Sequence, residues 1–424
     1  MSRGVPAAPW RDLVLLFVLQ VLALAAFRAV LPASAATNEG SDFDAFYRPV
    51  AEQIADGRGV EIDGEPATRY PPGYPLVLAG AFVLADAVGV ARSDAVTPLT
   101  IVLAATAGLL LHLVARPLFG RRVAWAASAA WLAYPLTLWT TKQPNSEIPF
   151  LVGLYAAIVL LVPLVTEGRA GPRRLAAAGL VLGLAAIVRP AGLVLIPAVG
   201  LVAWLRLTGD RRRLGLVAAF ALAAAVPVLV VSAWTSAQRD QVALLSDSNV
   251  ANLVEGLSFA VDSPEEAEDL PMPGGLRDFV IEAHEREGEL LREDSAPELL
   301  ATTAREQPVV LLQLVGYKAA RAWYGTESFR YEGLLLVTQV GWLALAGIGV
   351  WLRRGEEAVR WYVALVLALN LAAWGAAIVG LFIVRFLVPS LGLLAPLVAV
   401  TLVTAAGRLR RGRAPGTAPL PAAG

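Results

Sequence analysis

The chain has 424 residues, of which 57% are hydrophobic, too apolar for an ordinary water-soluble protein, and its apolar runs reach the ~20 residues a helix needs to cross a bilayer. Its 35 Lys and Arg balance 35 Asp and Glu, so net charge selects no partner, nucleic acid included. Cysteine is absent, which excludes disulfides, thiol catalysis and Cys-based metal sites.

Residues 1–11 are short and basic, and an apolar run follows over 13–31. Ala33-Ser34-Ala35 fits a signal-peptidase site, but the run is long for a signal peptide and reads as an uncleaved first span. On either reading the next passage lies outside. That passage, 41–75, holds Asp42 and Asp44, then Phe43, Phe46, Tyr47, Val50 and Ile54 at helical spacing, then Arg69 before a Pro/Gly/Tyr-rich turn. Four loops are basic, at 116–122, 167–174, 206–213 and 353–357, and the tail 408–413 is a fifth basic segment. Because cytoplasmic loops carry the excess of Lys and Arg, all five are expected inside. Spans then run over 95–115, 123–140, 146–166, 175–188, 190–206, 214–235, 333–352, 358–380 and 386–406, about ten with the first. The apolar run 72–90 would reverse that order if it crossed. Pro71, Pro72 and Pro75 at its start mark a break, so a re-entrant or juxtamembrane helix on the outer face is expected.

The fold class is therefore an all-α polytopic membrane protein in three parts: an N-terminal transmembrane module (1–235) whose first outer loop is 33–94, an acidic outer cap (236–332), and a C-terminal module with a basic tail (333–424). The acidic segment 238–307 is expected as a solvated helical cap without a sizeable core of its own. A helical pattern over 308–324 then leads back toward the membrane, carrying Lys318, with Tyr317, Arg321 and Tyr324 on one face. Such residues anchor at headgroups or hold a lipid phosphate.

On this topology the ionisable residues near span ends gather outside: Asp42, Asp44, Arg69, Lys142, Glu147, Arg189 and Arg385. Each has a plainer explanation. Asp42 is a good helix N-cap, Glu147 complements a helix N-terminus, and Arg189 and Arg385 can snorkel to headgroups. Jointly they describe a cavity with carboxylates and cations. Arginines grip phosphate or pyrophosphate with paired hydrogen bonds, a carboxylate takes a proton from an attacking hydroxyl, and fixed cations neutralise a departing phosphate. No Walker loop, GxSxG elbow, HExxH or Rossmann fingerprint occurs.

Asp42-Phe43, Phe46-Tyr47, Ala51, Gly57 and Arg69-Tyr70-Pro71-Pro72-Gly73-Tyr74-Pro75 resemble the first outer loop of the GT-C glycosyltransferases, in their bacterial mannosyltransferase-like and aminoarabinose-transferase-like branches. Asn145-Ser146-Glu147, Arg189-Pro190 and Arg385-Phe386 with Pro389 agree with it. The resemblance implies transfer of a sugar from a polyprenyl-phosphate carrier to a glycan, lipid or protein acceptor outside the cytoplasm, with inversion. It implies a catalytic carboxylate at Asp42, or at Asp44 by the spacing back from Tyr47. It also implies substrate contacts from Tyr47, Arg69, Tyr74, Glu147, Arg189 and Arg385, to which their shared side of the membrane adds Lys318 and Arg321, and leaves open a divalent cation, Mg or Mn. A transporter or flippase for a lipid-linked glycan, or a non-catalytic scaffold of the same fold, is the competing reading.

Overall fold

The computed structural model describes residues 10–32, 42–239, 242–246, 248–292, 295–326 and 329–412; Ala33-Ser34-Ala35 and Arg413 fall outside them. Helix α1 is Trp10–Val30. A π-helical turn, Phe43–Tyr47, opens the first loop and runs into α2, Arg48–Ala55. A small hairpin follows, β1 Glu61–Ile62 antiparallel to β2 Glu65–Pro66, with Ile62 opposite Glu65. Helix α3 is Gly73–Ala87. The bundle continues through α4 Arg92–Phe119, α5 Arg121–Ala133, α6 Pro135–Thr141, α7 Glu147–Glu167, α8 Pro172–Val188, α9 Gly192–Arg206 and α10 Arg213–Arg239.

Six helices then form the segment between the two modules: α11 Ser248–Leu257, α12 Pro264–Asp269, α13 Gly274–Glu285, α14 Glu287–Arg292, α15 Ala296–Glu306 and α16 Pro308–Arg321. The chain closes with α17 Glu332–Arg353, α18 Glu357–Val379, α19 Val388–Leu391 and α20 Ala395–Gly412.

Seven helical stretches among the described residues are long and apolar enough to cross a membrane: α1, α4, α7, α10, α17, α18 and the run Val388–Arg410. Shorter helices stand where the other three spans are expected. The stretch 123–140 is broken because Pro135 forces Tyr134 into an extended conformation (φ −71, ψ 120). Helices α8 and α9 have 17 and 15 residues, short for a hydrocarbon core ~30 Å thick at ~1.5 Å per residue. They meet at Arg189-Pro190. Helix α3, at 15 residues, has the same length as α9 and is likewise short for the hydrocarbon core.

The two ends of the bundle differ in chemistry. At one end Asp12 holds Arg121 through two hydrogen bonds of 2.7 and 2.9 Å, and Arg206 pairs with Glu357 at 2.6 Å. The arginine-rich turns lie at this end. The first loop, the start of α7, the α8–α9 turn and the end of α18 meet at the other.

The acidic segment is less solvated than expected, though it has no separate core. Val254, Leu257, Leu276, Val280, Ala283 and Leu290 are buried in one core continuous with the bundle. Glu255 apart, its acidic residues lie on the outer faces of short amphipathic helices, so a high charge count hides a packed inner face. The expected helix over 308–324 also ends early, at Arg321.

Candidate active site

The first loop is planted on the bundle by its apolar side chains. Phe43, Phe46, Tyr47, Val50 and Ala51 pack with Tyr74, Leu78 and Phe82 of α3 in one buried cluster. Gly73 opens α3 against the end of α8, where a Cβ would fall 2.3 Å from the Ile187 carbonyl oxygen; only glycine allows that approach. The hairpin turns the chain back, and Arg69-Tyr70 returns beside Asp42.

Asp42 precedes the π-helical turn and makes no side-chain capping bond. Its Oδ1 instead accepts a hydrogen bond from the Tyr70 hydroxyl at 2.8 Å. Burial, and then the adjacent Asp42 carboxylate, push the Tyr70 phenol well above its ordinary pKa, so it stays a protonated donor. Burial likewise pushes Tyr47 up to about 12. The Tyr70 ring lies 5.2 Å from Phe46 and 5.4 Å from Tyr47, which fixes the direction of its hydroxyl. Asp44 turns away. Its side chain is 42% exposed and lies 3.9 Å from Arg48, its neighbour one turn on.

Asp42, Tyr47, Arg69 and Tyr70 line a cavity of about 410 Å³. Ser146, Arg189, Arg385 and Phe386 line it too. Behind Ser146 and the two arginines sits Glu147, 1% exposed, with Oε1 3.1 Å from Arg189 Nη1 and 2.7 Å from Arg385 Nε. Arg189 also donates to the Ser146 hydroxyl at 2.9 Å and lies 4.8 Å over the Phe386 ring. The Asn145 side-chain oxygen accepts from the Glu147 backbone N–H at 3.1 Å and caps α7. Two guanidiniums share one buried carboxylate, so the triad keeps a net positive charge and a fixed orientation. Arg69 lies 5.3 Å over the Tyr70 ring. Arg385 also borders a second cavity of about 150 Å³, lined by Trp139, Lys142 and Gln143.

The cavity thus unites Asp42, Tyr47, Arg69, Arg189 and Arg385 of the residues singled out from the sequence, with Glu147 behind them. Four others lie elsewhere. Asp44 is on the outer face of the loop. Tyr74 is buried under Tyr47, with ring centroids 5.0 Å apart. Lys318 is buried with its ammonium donating to the Val379 carbonyl at 3.3 Å. Arg321 is paired with Glu332, donates to the Thr326 carbonyl at 3.3 Å and lies 3.9 Å over Phe329. Its charge is spent within the protein. The cavity also draws on residues that sequence reasoning passes over. Tyr70 lies inside the Arg69–Pro75 motif but carries no charge to draw attention, and Asn252 and Glu255 lie in the acidic segment. Among the described residues no group of three His, Asp or Glu side chains is placed to hold a metal ion.

A polytopic helical bundle with cations and a carboxylate around one end-cavity matches a known class. The sequence-family model for dolichyl-phosphate-mannose-protein mannosyltransferase matches residues 69–236. Among curated proteins, none matches the chain by sequence. Its structure is similar to the archaeal oligosaccharyltransferase AglB of Archaeoglobus fulgidus, solved with an inhibitory peptide and a dolichol-phosphate: TM-score 0.55, 14% identity, 94% of this chain and 51% of that one. The same enzyme tethered to an acceptor peptide gives TM-score 0.57 at 15% identity, over 95% of this chain and 50% of that one. A weaker likeness, at TM-score 0.42 and 14% identity over 94% of this chain and 79% of that one, is to ArnT of Cupriavidus metallidurans bound to undecaprenyl phosphate. The chain has the GT-C fold, as its first loop and outer turns suggest. It spans about half the length of the oligosaccharyltransferase. Asp42 lies outside the stretch that the family model matches, and Arg69 is that stretch's first residue.

Proposed function

We propose that the protein is an integral membrane glycosyltransferase that moves a sugar from a polyprenyl-phosphate carrier to an acceptor hydroxyl on the extracytoplasmic side. The observation that carries this reading is that Asp42, oriented by Tyr70, and the Glu147-held arginines line one cavity. The family match over 69–236 and the GT-C fold support it. The sidedness rests on the arginine-rich turns at the opposite end of the bundle.

In the proposed reaction the acceptor oxygen attacks the anomeric carbon from the side away from the phosphate. The bond from that carbon to the phosphate oxygen breaks, and its electron pair leaves on the carrier phosphate. The acceptor proton passes to Asp42. General-base help of this kind contributes ~10²–10⁴-fold. Arg189 and Arg385 bind the carrier phosphate and stabilise the charge it gains on departure, with preorganised donors that need no rearrangement. Glu147 positions both cations; its carboxylate is already shared between them and is poorly placed to take the acceptor's proton.

The test is a transfer assay with the purified full chain in lipid nanodiscs and a panel of polyprenyl-phosphate sugars. Radiolabelled sugar should reach an acceptor in the presence of one of these donors. Failure to bind any polyprenyl-phosphate lipid would remove the reading.

A further inference from the structure

The acidic segment between the two modules has no part in the reaction proposed above, yet it reaches the cavity. Helix α11 contributes Asn252 and Glu255 to the lining, beside Gly380 at the end of α18. It is seated tightly there. A Cβ on Gly256 would fall 2.4 Å from the Gly380 carbonyl oxygen and 3.0 Å from the Lys318 ammonium. Lys318 in turn is bonded to the Val379 carbonyl at 3.3 Å and lies 5.6 Å from the Phe382 ring. Gly256 and Lys318 therefore dock this helix on the rim with little freedom of position, and Glu255 is carried with it.

Glu255 faces charge of both signs. Its carboxylate and that of Asp42 both act electrostatically on Arg69, so that one cation is compensated by two carboxylates. Arg189 and Arg385 share a single carboxylate and hold the excess positive charge. A carrier phosphate belongs with that pair. The space beside Glu255 and Asn252 suits a group rich in hydroxyl donors, because a carboxylate accepts from hydroxyls and a side-chain amide both donates and accepts. A further anion there would meet two like charges. Helix α11 also lies outside the stretch 69–236 that matches the family model, so this wall belongs to the part of the chain that the family pattern does not prescribe.

We propose that Asn252 and Glu255 form the sugar-reading wall of the site, selecting an uncharged, hydroxyl-rich sugar on the carrier and rejecting a sugar acid. This rests on the glycosyltransferase reading and assigns its donor class. Binding, rather than transfer, is the test. The full chain in nanodiscs is titrated with undecaprenyl phosphate, with undecaprenyl-phosphate mannose as the neutral hexose, and with undecaprenyl-phosphate glucuronic acid.

The expected result is that the mannose lipid binds about tenfold or more tighter than the bare carrier phosphate, the increment of a charge-assisted hydrogen bond. The glucuronic acid lipid binds no better than the bare carrier. Glu255→Ala brings the mannose increment below about twofold and leaves affinity for the bare carrier unchanged. Glu255→Gln preserves size if Glu255→Ala fails to fold, and should let the glucuronic acid lipid bind more tightly than in the wild type. The inference is overturned, with the transferase reading intact, by either of two results in the wild type: mannose lipid and bare carrier bound equally, or the glucuronic acid lipid bound as tightly as the mannose lipid. It is also overturned if the folded Glu255 variants keep the wild-type pattern or weaken the bare carrier as well. If the wild type binds none of the three lipids, the transferase reading itself fails, and this inference with it.

Discussion

Glu147→Gln removes the charge that holds the two cavity arginines while keeping the shape of the side chain. In the structure Glu147 is 1% exposed and pairs with Arg189 at 3.1 Å and Arg385 at 2.7 Å. Breaking a buried ion pair from one side typically costs about 3–5 kcal/mol, because the remaining charge is left uncompensated. Here two guanidiniums lose one counter-ion and repel each other. Arg385 is 34% exposed, so water offsets part of its share, and we expect a loss of about 3 kcal/mol. Thermal unfolding in nanodiscs measures it, with Arg385→Met and the double variant completing a cycle that isolates the coupling. Carrier-phosphate binding gives a second, sharper readout. The substitution raises the net positive charge of the site by one, so charge counting alone predicts tighter binding of undecaprenyl phosphate. Orientation by Glu147 predicts weaker binding, since a phosphate grip depends on aligned donors. A stability loss below about 1 kcal/mol, or an unchanged or higher affinity, would refute the positioning role.

Tyr70→Phe removes the 2.8 Å bond to Asp42; kcat should fall about tenfold, the value of one hydrogen bond to a charged group, with donor KM little changed, and an unaltered kcat would remove Tyr70 from the account. Asp44→Asn should leave transfer and stability nearly unchanged, because an exposed pair such as Asp44–Arg48 contributes only about 0.3–0.5 kcal/mol. Burial lowers the Lys318 ammonium to about 7 from 10.5. Between those values the unfolded chain holds a proton that the folded one lacks, so stability should rise with pH across that window. Lys318→Met should flatten the rise, and a wild-type melting temperature indifferent to pH there would contradict it. In this cysteine-free chain, a cysteine introduced at Asp63 should be labelled from outside intact cells and one at Arg121 should not; labelling at 121 would invert the topology.

The parts of this arrangement visible in the sequence are those that depend on charge and apolarity. Arg69, Arg189, Arg385 and Asp42 stand out because ionisable residues beside apolar spans are costly and need a reason. The start of the short helix at 73–87 follows from the prolines before it. Pairing is less visible. Arg321 and Arg189 look alike as arginines at helix ends, yet Arg321 is consumed by Glu332 while Arg189 shares Glu147 with a second arginine and faces the cavity. That difference depends on contacts between residues far apart in the chain. Asp42 and Asp44 are likewise indistinguishable by composition, and the π-helical turn that begins at Phe43 sends them to opposite faces. The acidic segment misleads for a physical reason: apart from Glu255, its acidic residues lie on the outer faces of short helices whose inner faces bury Val254, Leu276 and Val280.

The most direct measurement is transfer of radiolabelled sugar from a polyprenyl-phosphate donor by the wild type and by Asp42→Asn, with donor binding followed in the same preparations. Asn retains an oxygen that can accept the Tyr70 bond but cannot take up the acceptor's proton. The account predicts that Asp42→Asn folds and binds donor as the wild type does, and that its kcat falls by about 10²-fold or more. A folded, donor-binding Asp42→Asn with wild-type turnover would contradict it.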